Sequence, residues 1–374
     1  MTTRHGITYR DTGVLDNTEL GLRALLKWIN PTEQFRAGKL GQKAIDVGFF
    51  ASVVDIGHNL GLVLCTDGVG SKVLIAEMMN RYDTIGIDCV AMNVNDAICV
   101  GAEPVSFLDY IAIERATPEV LEELGRGLHE GARRAGVNIV GGEISQIPDI
   151  IKGHRPGGGV DLVGMCAGIV PLDRVIVGRA VAPGDIIIGI RSSGVHSNGL
   201  TLARKALFEQ GGFRPDQYVT DLARSVGDEL LEPTHIYVAP VLELLRKDLP
   251  IHALVNITGD GFLNLNRIDA NVGFYIDQLP EPQPVFSMIQ HSGNVPTAEM
   301  YRVFNMGIGF CVLAPNDAAV IAAIKAMFAE HGFEALEIGH VNDDAKRVHL
   351  PAQRLTGEGD HFTEFRSGKL RASE

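Results

Sequence analysis

Four polar patches recur in order along this chain, each ending or interrupting an apolar run: Thr66-Asp67-Gly68-Val69-Gly70-Ser71-Lys72, Asn95-Asp96, Gly141-Gly142-Glu143 and Ser192-Ser193-Gly194-Val195-His196-Ser197-Asn198-Gly199. A simple hydrophobic core has no use for carboxylates and glycines at these points. The placement suits buried elements that present acids and free backbone amides at their ends, the arrangement that holds magnesium and phosphate.

A chain of 374 residues exceeds one ordinary core and implies roughly two domains. A hydrophobic share of 45% with 21% charged residues is ordinary for a globular protein, so the 43 glycines point to many tight turns rather than to low complexity. The formal charge of −13 argues against a nucleic-acid partner, which calls for a basic footprint. Anionic ligands would need local help from a cation or a helix N-terminus. The five cysteines, Cys65, Cys89, Cys99, Cys166 and Cys311, lie far apart in apolar segments without zinc or Cys-x-x-Cys spacing, and read as reduced core residues. No run reaches the length of a membrane span and the first residues lack an apolar signal core, so a cytoplasmic protein with no membrane partner is expected.

Periodicity predicts strands at 62–65, 105–113, 138–140 and 162–170, with helices at 84–100 and from Thr117-Pro118-Glu119 to Ala135, closed by Gly136. Pro183-Gly184 marks a fresh start after residues 172–183, which sets the domains at 1–173 and 174–350 with a tail at 351–374. The second domain reads as a strand 185–191, helices 199–210 and 233–246, strands 273–276 and 309–313, a helix 317–331 capped by Asn316, and closing strands 335–338 and 347–350.

Neither G-x-x-x-x-G-K-[ST] nor G-x-G-x-x-G occurs, so P-loop and Rossmann chemistry lack support. Asp67 nevertheless follows an apolar strand, with Gly68 and Gly70 freeing amides beside it; the same stretch also reads as a polar hairpin with Lys72 exposed. Asp88, Met92, Asn95 and Asp96 fall on neighbouring parts of one helix face. A carboxylate at Asp96 is expensive to bury without a cation or donors, which makes it a candidate metal ligand, the alternatives being a buried ion pair or an exposed helix face, whereas Asp88 reads as facing water. Glu143 ends another apolar strand. Three such acids favour a divalent-metal nucleotide site. In the loop 192–198, hydroxyls and amides suit a phosphate or an oxyanion, and His196 is the group there able to move a proton near neutral pH. Ser197 or Asn198 also reads as a plain N-cap.

These stretches, together with Tyr9-Arg-Asp-Thr-Gly-Val14, Asp83-Thr-Ile-Gly-Ile-Asp88, Phe107-Leu-Asp-Tyr110, Pro233-Thr-His-Ile-Tyr237 and Phe304-Asn-Met-Gly-Ile-Gly309, resemble the aminoimidazole ribonucleotide synthetase family in order along nearly the whole chain. The resemblance implies a mixed α/β, α+β architecture: an N-terminal sheet domain that forms a homodimer and a C-terminal α+β domain. It also implies ATP and Mg2+ as cofactors and a small nucleotide as substrate. By motif, Asp67, Gly68, Gly70, Lys72, Asn95, Asp96 and Glu143 would serve Mg-ATP, with Asp67, Asp96 and Glu143 on the metal. Ser193, Gly194, His196, Ser197, Asn198 and Thr258 would serve the substrate, and His196 and Asp96 the chemistry. Ile144-Ser-Gln-Ile-Pro148 and Asn256-Ile-Thr-Gly-Asp-Gly261 depart from the family pattern, as does Ala44-Ile-Asp-Val-Gly-Phe-Phe50. The alternatives are a related ATP-dependent enzyme on the same scaffold and a non-catalytic nucleotide-binding homologue. The absence of a cysteine before Cys65 and in Arg371-Ala-Ser-Glu374 sets the chain apart from the selenium and hydrogenase-maturation relatives.

Overall fold

The computed structural model describes residues 6–13 and 18–365. Its first half is built on β1 (Gln42–Lys43), β2 (Ser52–Asp55), β3 (Leu60–Gly68), β4 (Glu103–Ile113), β5 (Asn138–Gln146) and β6 (Val160–Pro171). These form one sheet in the order β1-β2-β3-β6-β4-β5, antiparallel except for the parallel β4–β5 pair at the edge. The accompanying helices are α1 (Thr18–Ile29), α2 (Lys72–Met79), α3 (Asp83–Cys99) and α4 (Pro118–Ala135). Alternation along β6 is regular: Leu162 and Cys166 are buried on one face, while Val163 and Ile169 face outward on the other.

Helix α4 starts and stops where its sequence dictates. Thr117 caps the start, Pro118 fills the first turn, and Gly136 at φ +70° closes the end. Gly127 lets α4 lie directly on α3, since a Cβ there would meet the Asp83 carbonyl oxygen at 1.9 Å. Helix α3 is buried nearly all round because the sheet and α4 cover it from one side and the second half of the chain covers it from the other. That explains why its polar residues must find partners inside the protein.

The second half contains β7 (Ile186–Arg191), the small β8 (Tyr218–Val219) and β9 (Arg224–Ser225) pair, β10 (Ala253–Asn256), β11 (Gly273–Ile276), β12 (Ile308–Ala314), β13 (Ala335–Asn342), β14 (Arg347–Leu350), β15 (Leu355–Glu358) and β16 (His361–Glu364). Its main sheet runs β10-β12-β7-β13-β11-β14-β15-β16. The helices are α5 (Leu200–Arg204), which continues as a π-helical turn to Gln210, then α6 (Val226–Leu230), α7 (Val238–Arg246), α8 (Pro284–Gly293), α9 (Thr297–Val303) and α10 (Ala318–Glu330).

Three expectations are corrected here. Residues 355–364 are not a separate tail: β15 pairs with β14 and β16 with β15, extending the second sheet. The cap of α10 is Asp317, whose Oδ1 accepts from the N–H groups of Ala319 and Val320, rather than Asn316. The helix expected from Pro233 starts at Val238, because Asp88 and Asn95 take the backbone groups of the preceding residues.

Candidate active site

Strand β3 delivers Asp67 at its end, facing α3. The row Asp67↔Gly164↔Asp109↔Gly142 crosses four strands, and a Cβ at Gly164 would meet the Asn93 side chain of α3. Asn93 Nδ2 donates to the Asp67 carbonyl oxygen at 3.1 Å, which fixes the strand end to the helix. The chain then turns through Gly70 at φ +69°, a left-handed conformation that suits glycine, and Gly68 N–H donates to Asp67 Oδ1 at 2.7 Å.

The loop after β7 meets this turn. Ser197 Oγ donates to the Val69 carbonyl oxygen at 2.8 Å, and the Ser71 and Thr201 hydroxyls lie 2.7 Å apart. Asp67, Gly68, Gly70 and Ser71 thereby share one cavity of about 230 Å³ with Met92, Ser197, Asn198 and Gly259. Five residues proposed from sequence, Asp67, Gly68, Gly70, Ser197 and Asn198, therefore meet on a single surface.

Asp96 lies close enough to Asp67 for the Asp67 charge to disfavour its ionisation. Burial is the main cause that raises Asp96 to about 7; the hydrogen bond from Asn256 Nδ2 at 2.8 Å and the Arg267 charge pull in the other direction. Asp67 is raised too, again chiefly by burial, with Gly68 N–H and Arg267 opposing. Asp109, in the same row as Asp67, is likewise raised by burial. Burial thus disfavours the charged form of both carboxyls, and Asp67 is the one that lines the cavity.

Other expected members lie elsewhere. Glu143 is exposed on β5 in the row Gly68↔Val163↔Tyr110↔Glu143. That row faces away from α3, three strand spacings or about 14 Å from β3. Among the described residues no group of three or more His, Cys, Asp or Glu side chains is placed to hold a metal ion, so one copy of the chain does not assemble the three-carboxylate site. Lys72 is not an exposed hairpin residue: it begins α2 fully buried, with Nζ 2.8 Å from Asp88 Oδ2. Asp88 is equally buried and does not face water. Asn95 donates to the His235 carbonyl oxygen at 2.8 Å and accepts from Tyr237 N–H at 3.0 Å, so its amide is committed to the protein.

His196 does not line the cavity. It is 3% exposed, adopts φ +61°, and its Nε2 accepts the Ser193 N–H at 3.2 Å. Burial first, then the His235 and Lys72 charges, hold it well below the usual histidine range, so it is neutral near pH 7. Ser193 Oγ is spent on the Pro233 carbonyl oxygen at 2.6 Å, Gly194 carbonyl oxygen accepts from Asn305 Nδ2 at 2.9 Å, and Thr258 N–H is held by Asn264 Oδ1 at 2.8 Å.

Two residues without an assigned role emerge from the departures noted in sequence. Asn256 is the donor to Asp96, and Asp260 pairs with Arg267, whose guanidinium stacks 5.0 Å over the Phe50 ring. Gln146 accepts the Ala116 N–H at 3.0 Å, a structural use for a residue that departs from the family pattern. Asn256 was visible as a departure; nothing local to Arg267 marks it.

A family model described as AIR synthase related protein, N-terminal domain, matches residues 50–170, and one described as AIR synthase related protein, C-terminal domain, matches residues 182–350. A phosphoribosylformylglycinamidine cyclo-ligase from Methanothermobacter thermautotrophicus is 46% identical over 94% of this chain and 98% of its own length. One from Pyrococcus furiosus is 45% identical over 90% and 96%. Among solved structures, thiamine-monophosphate kinase from Stenotrophomonas maltophilia K279a is similar at a TM-score of 0.59 and 20% identity over 86% of this chain and 94% of that one. Hydrogenase maturation protein HypE in complex with ATP reaches a TM-score of 0.54 at 19% identity over 80% and 84%. The solved structures establish the shared fold; family membership rests on the long matches in sequence, by which the chain belongs to the phosphoribosylformylglycinamidine cyclo-ligase family of AIR synthase related proteins.

Proposed function

We propose that this chain closes an imidazole ring at the expense of ATP, converting formylglycinamidine ribonucleotide to aminoimidazole ribonucleotide with release of ADP and phosphate, in purine biosynthesis. The observation that carries the reading is the convergence of Asp67 and the Ser197-Asn198 loop on one cavity, with Asp96 near enough for the Asp67 charge to act on it. It is joined by near full-length similarity to cyclo-ligases. The chemistry explains the need for ATP. An amide oxygen is a poor leaving group; transfer of the γ-phosphoryl to the formamide oxygen makes it a good one. The amidine nitrogen then attacks that carbon, the C–O bond breaks with phosphate departing, and the nitrogen's proton is lost to solvent or a nearby base.

Magnesium fits the residues present. It is typically held by one or two carboxylates, with waters and phosphate oxygens completing the shell, and Asp67 and Asp96 supply two carboxyls whose burial disfavours charge without a cation. When bound it would neutralise phosphate charge. Gly70 leaves its backbone amide open to the phosphates, and Ser197 and Asn198 orient the substrate from the facing side. His196 supports the loop as a neutral acceptor rather than supplying a proton.

Our reading also includes a cytoplasmic homodimer formed through the outer face of the first sheet, where Val105, Tyr110 and Ile169 are 37%, 40% and 38% exposed. Glu143 belongs to this face, so any part it has in Mg-ATP binding depends on a second copy. No helix among the described residues is long and apolar enough to cross a membrane. The test is Asp96→Asn, which preserves an acceptor for Asn256. Turnover is expected to fall by about a hundredfold or more with the thermal midpoint retained or raised. Wild-type turnover in this variant would remove Asp96 from the mechanism.

A further inference from the structure

Residues 232–237 have no regular structure, yet every turn of this segment is tied to α3 or to the cavity loop. Asp88 Oδ1 accepts from Thr234 N–H at 2.8 Å, Thr234 Oγ1 at 2.6 Å and Lys72 Nζ at 3.0 Å. Lys72 Nζ also donates to the Glu232 carbonyl oxygen at 2.6 Å. Two turns further along α3, Asn95 grips His235 and Tyr237 through their backbones. The opposite side of the segment carries the loop. Ser193 Oγ donates to Pro233, Tyr237 Oη donates to the Arg191 carbonyl oxygen at 2.9 Å, and the His196 ring packs 6.0 Å from His235 and 6.4 Å from Tyr237.

These contacts form one continuous path. It begins on α3, which also carries Asp96, passes through buried donors and acceptors that each have a named partner, and ends at Arg191, Ser193 and His196, the entry and middle of the loop that places Ser197 and Asn198 against Asp67. We propose that residues 232–237 act as a strap that positions the 193–198 loop over the Asp67 and Asp96 carboxylates, and that Thr234, held at Asp88, is its positioning residue. The strap works by distance. Asp88 and Asp96 lie two helical turns apart on a rigid helix, so fixing the strap at Asp88 and Asn95 fixes the separation between the loop and the acids. Geometric errors of about 1 Å in such a site cost about a hundredfold in rate, which is why a hydroxyl remote from the cavity can matter to turnover. The kinetic consequence rests on the proposed function; the mechanical one does not.

The test compares Thr234→Val, which keeps shape and backbone N–H but removes the hydroxyl donor, with Thr234→Ser, which restores it. Hydrogen exchange read at 25 °C on folded protein is expected to quicken at least about tenfold across residues 193–198 in Thr234→Val and to stay unchanged in α10. In the ring-closing assay, kcat/KM for the ribonucleotide should fall at least about tenfold while the KM for ATP stays within about twofold, and Thr234→Ser should recover most of the loss. Unchanged exchange in the loop, or equal acceleration throughout the molecule, overturns the strap. Normal kinetics in a folded Thr234→Val overturns the positioning role. Should that variant not fold, Ser193→Ala cuts the other end of the strap and is expected to quicken exchange in the same loop; wild-type exchange there overturns the proposal. A wild-type protein that makes no ring product sinks the functional reading alone, because the exchange experiment still decides the strap.

Discussion

Lys72 shows how far a residue's role can depend on partners distant in sequence. Read locally, Asp67-Gly68-Val69-Gly70-Ser71-Lys72 offers a lysine to a phosphate. In the fold that ammonium is fully buried against Asp88, which is equally inaccessible, and burial lowers its pKa against the opposing pull of Asp88. The partners sit 16 and 160 positions away, beyond any local pattern. Lys72→Met is therefore expected to strand a buried carboxylate and lower the unfolding free energy by about 3–5 kcal/mol, while Lys72→Met with Asp88→Leu recovers much of the loss. Urea unfolding of the three proteins checks this. A single variant as stable as wild type would mean that the pair is not buried as described. Asp67 and Asp96, by contrast, were legible as isolated acids in apolar runs, and burial disfavours the charge of both.

Among the elements, those bounded by local chemistry were the readable ones. Thr117, Pro118 and Gly136 delimit α4 by capping alone, and the strand at 273–276 follows from composition and alternation. The face of β5 was not readable. It depends on the parallel pairing with β4 and on the register shift between Phe107 and Leu108, which together turn Glu143 away from Asp67. The start of α7 was likewise hidden, since backbone groups at 234–237 are claimed by side chains of α3. This same segment predicts a pH dependence. Burial holds His235 at about 4, from an ordinary 6.5, and holds His196 low as well. The folded state keeps these imidazoles neutral where the unfolded chain binds protons, so stability is full above pH 6.5 and is lost as pH falls toward 4. For His235 alone the loss between pH 7.5 and pH 5 is about 2 kcal/mol. His235→Phe, which keeps the backbone oxygen for Asn95, is expected to flatten the unfolding free energy against pH in that window by nearly one proton. An unchanged slope would mean that His235 titrates normally.

At the scale of the whole molecule, two sheets are joined by a helix, α3, that is covered from both sides. Its inward residues serve the Asp88 and Asn95 ties to the second half, and Asp96 accepts from Asn256 at the end of β10. The other face of the first sheet carries apolar pairs, with Leu62 opposite Ile169 and Leu108 opposite Met165 across the ladder. Ile169→Glu is expected to halve the mass measured by light scattering at micromolar concentration, because a charge buried in an apolar interface has no partner. A mass unaffected by the substitution, or a monomeric wild type, would contradict dimerisation through this face. The central claim is that the cavity couples ATP consumption to ring closure. Its most direct test is simultaneous measurement of ADP and aminoimidazole ribonucleotide from purified protein, Mg-ATP and formylglycinamidine ribonucleotide. Equal yields of the two products are predicted; ADP without the ring product, or neither product despite nucleotide binding, would contradict the claim.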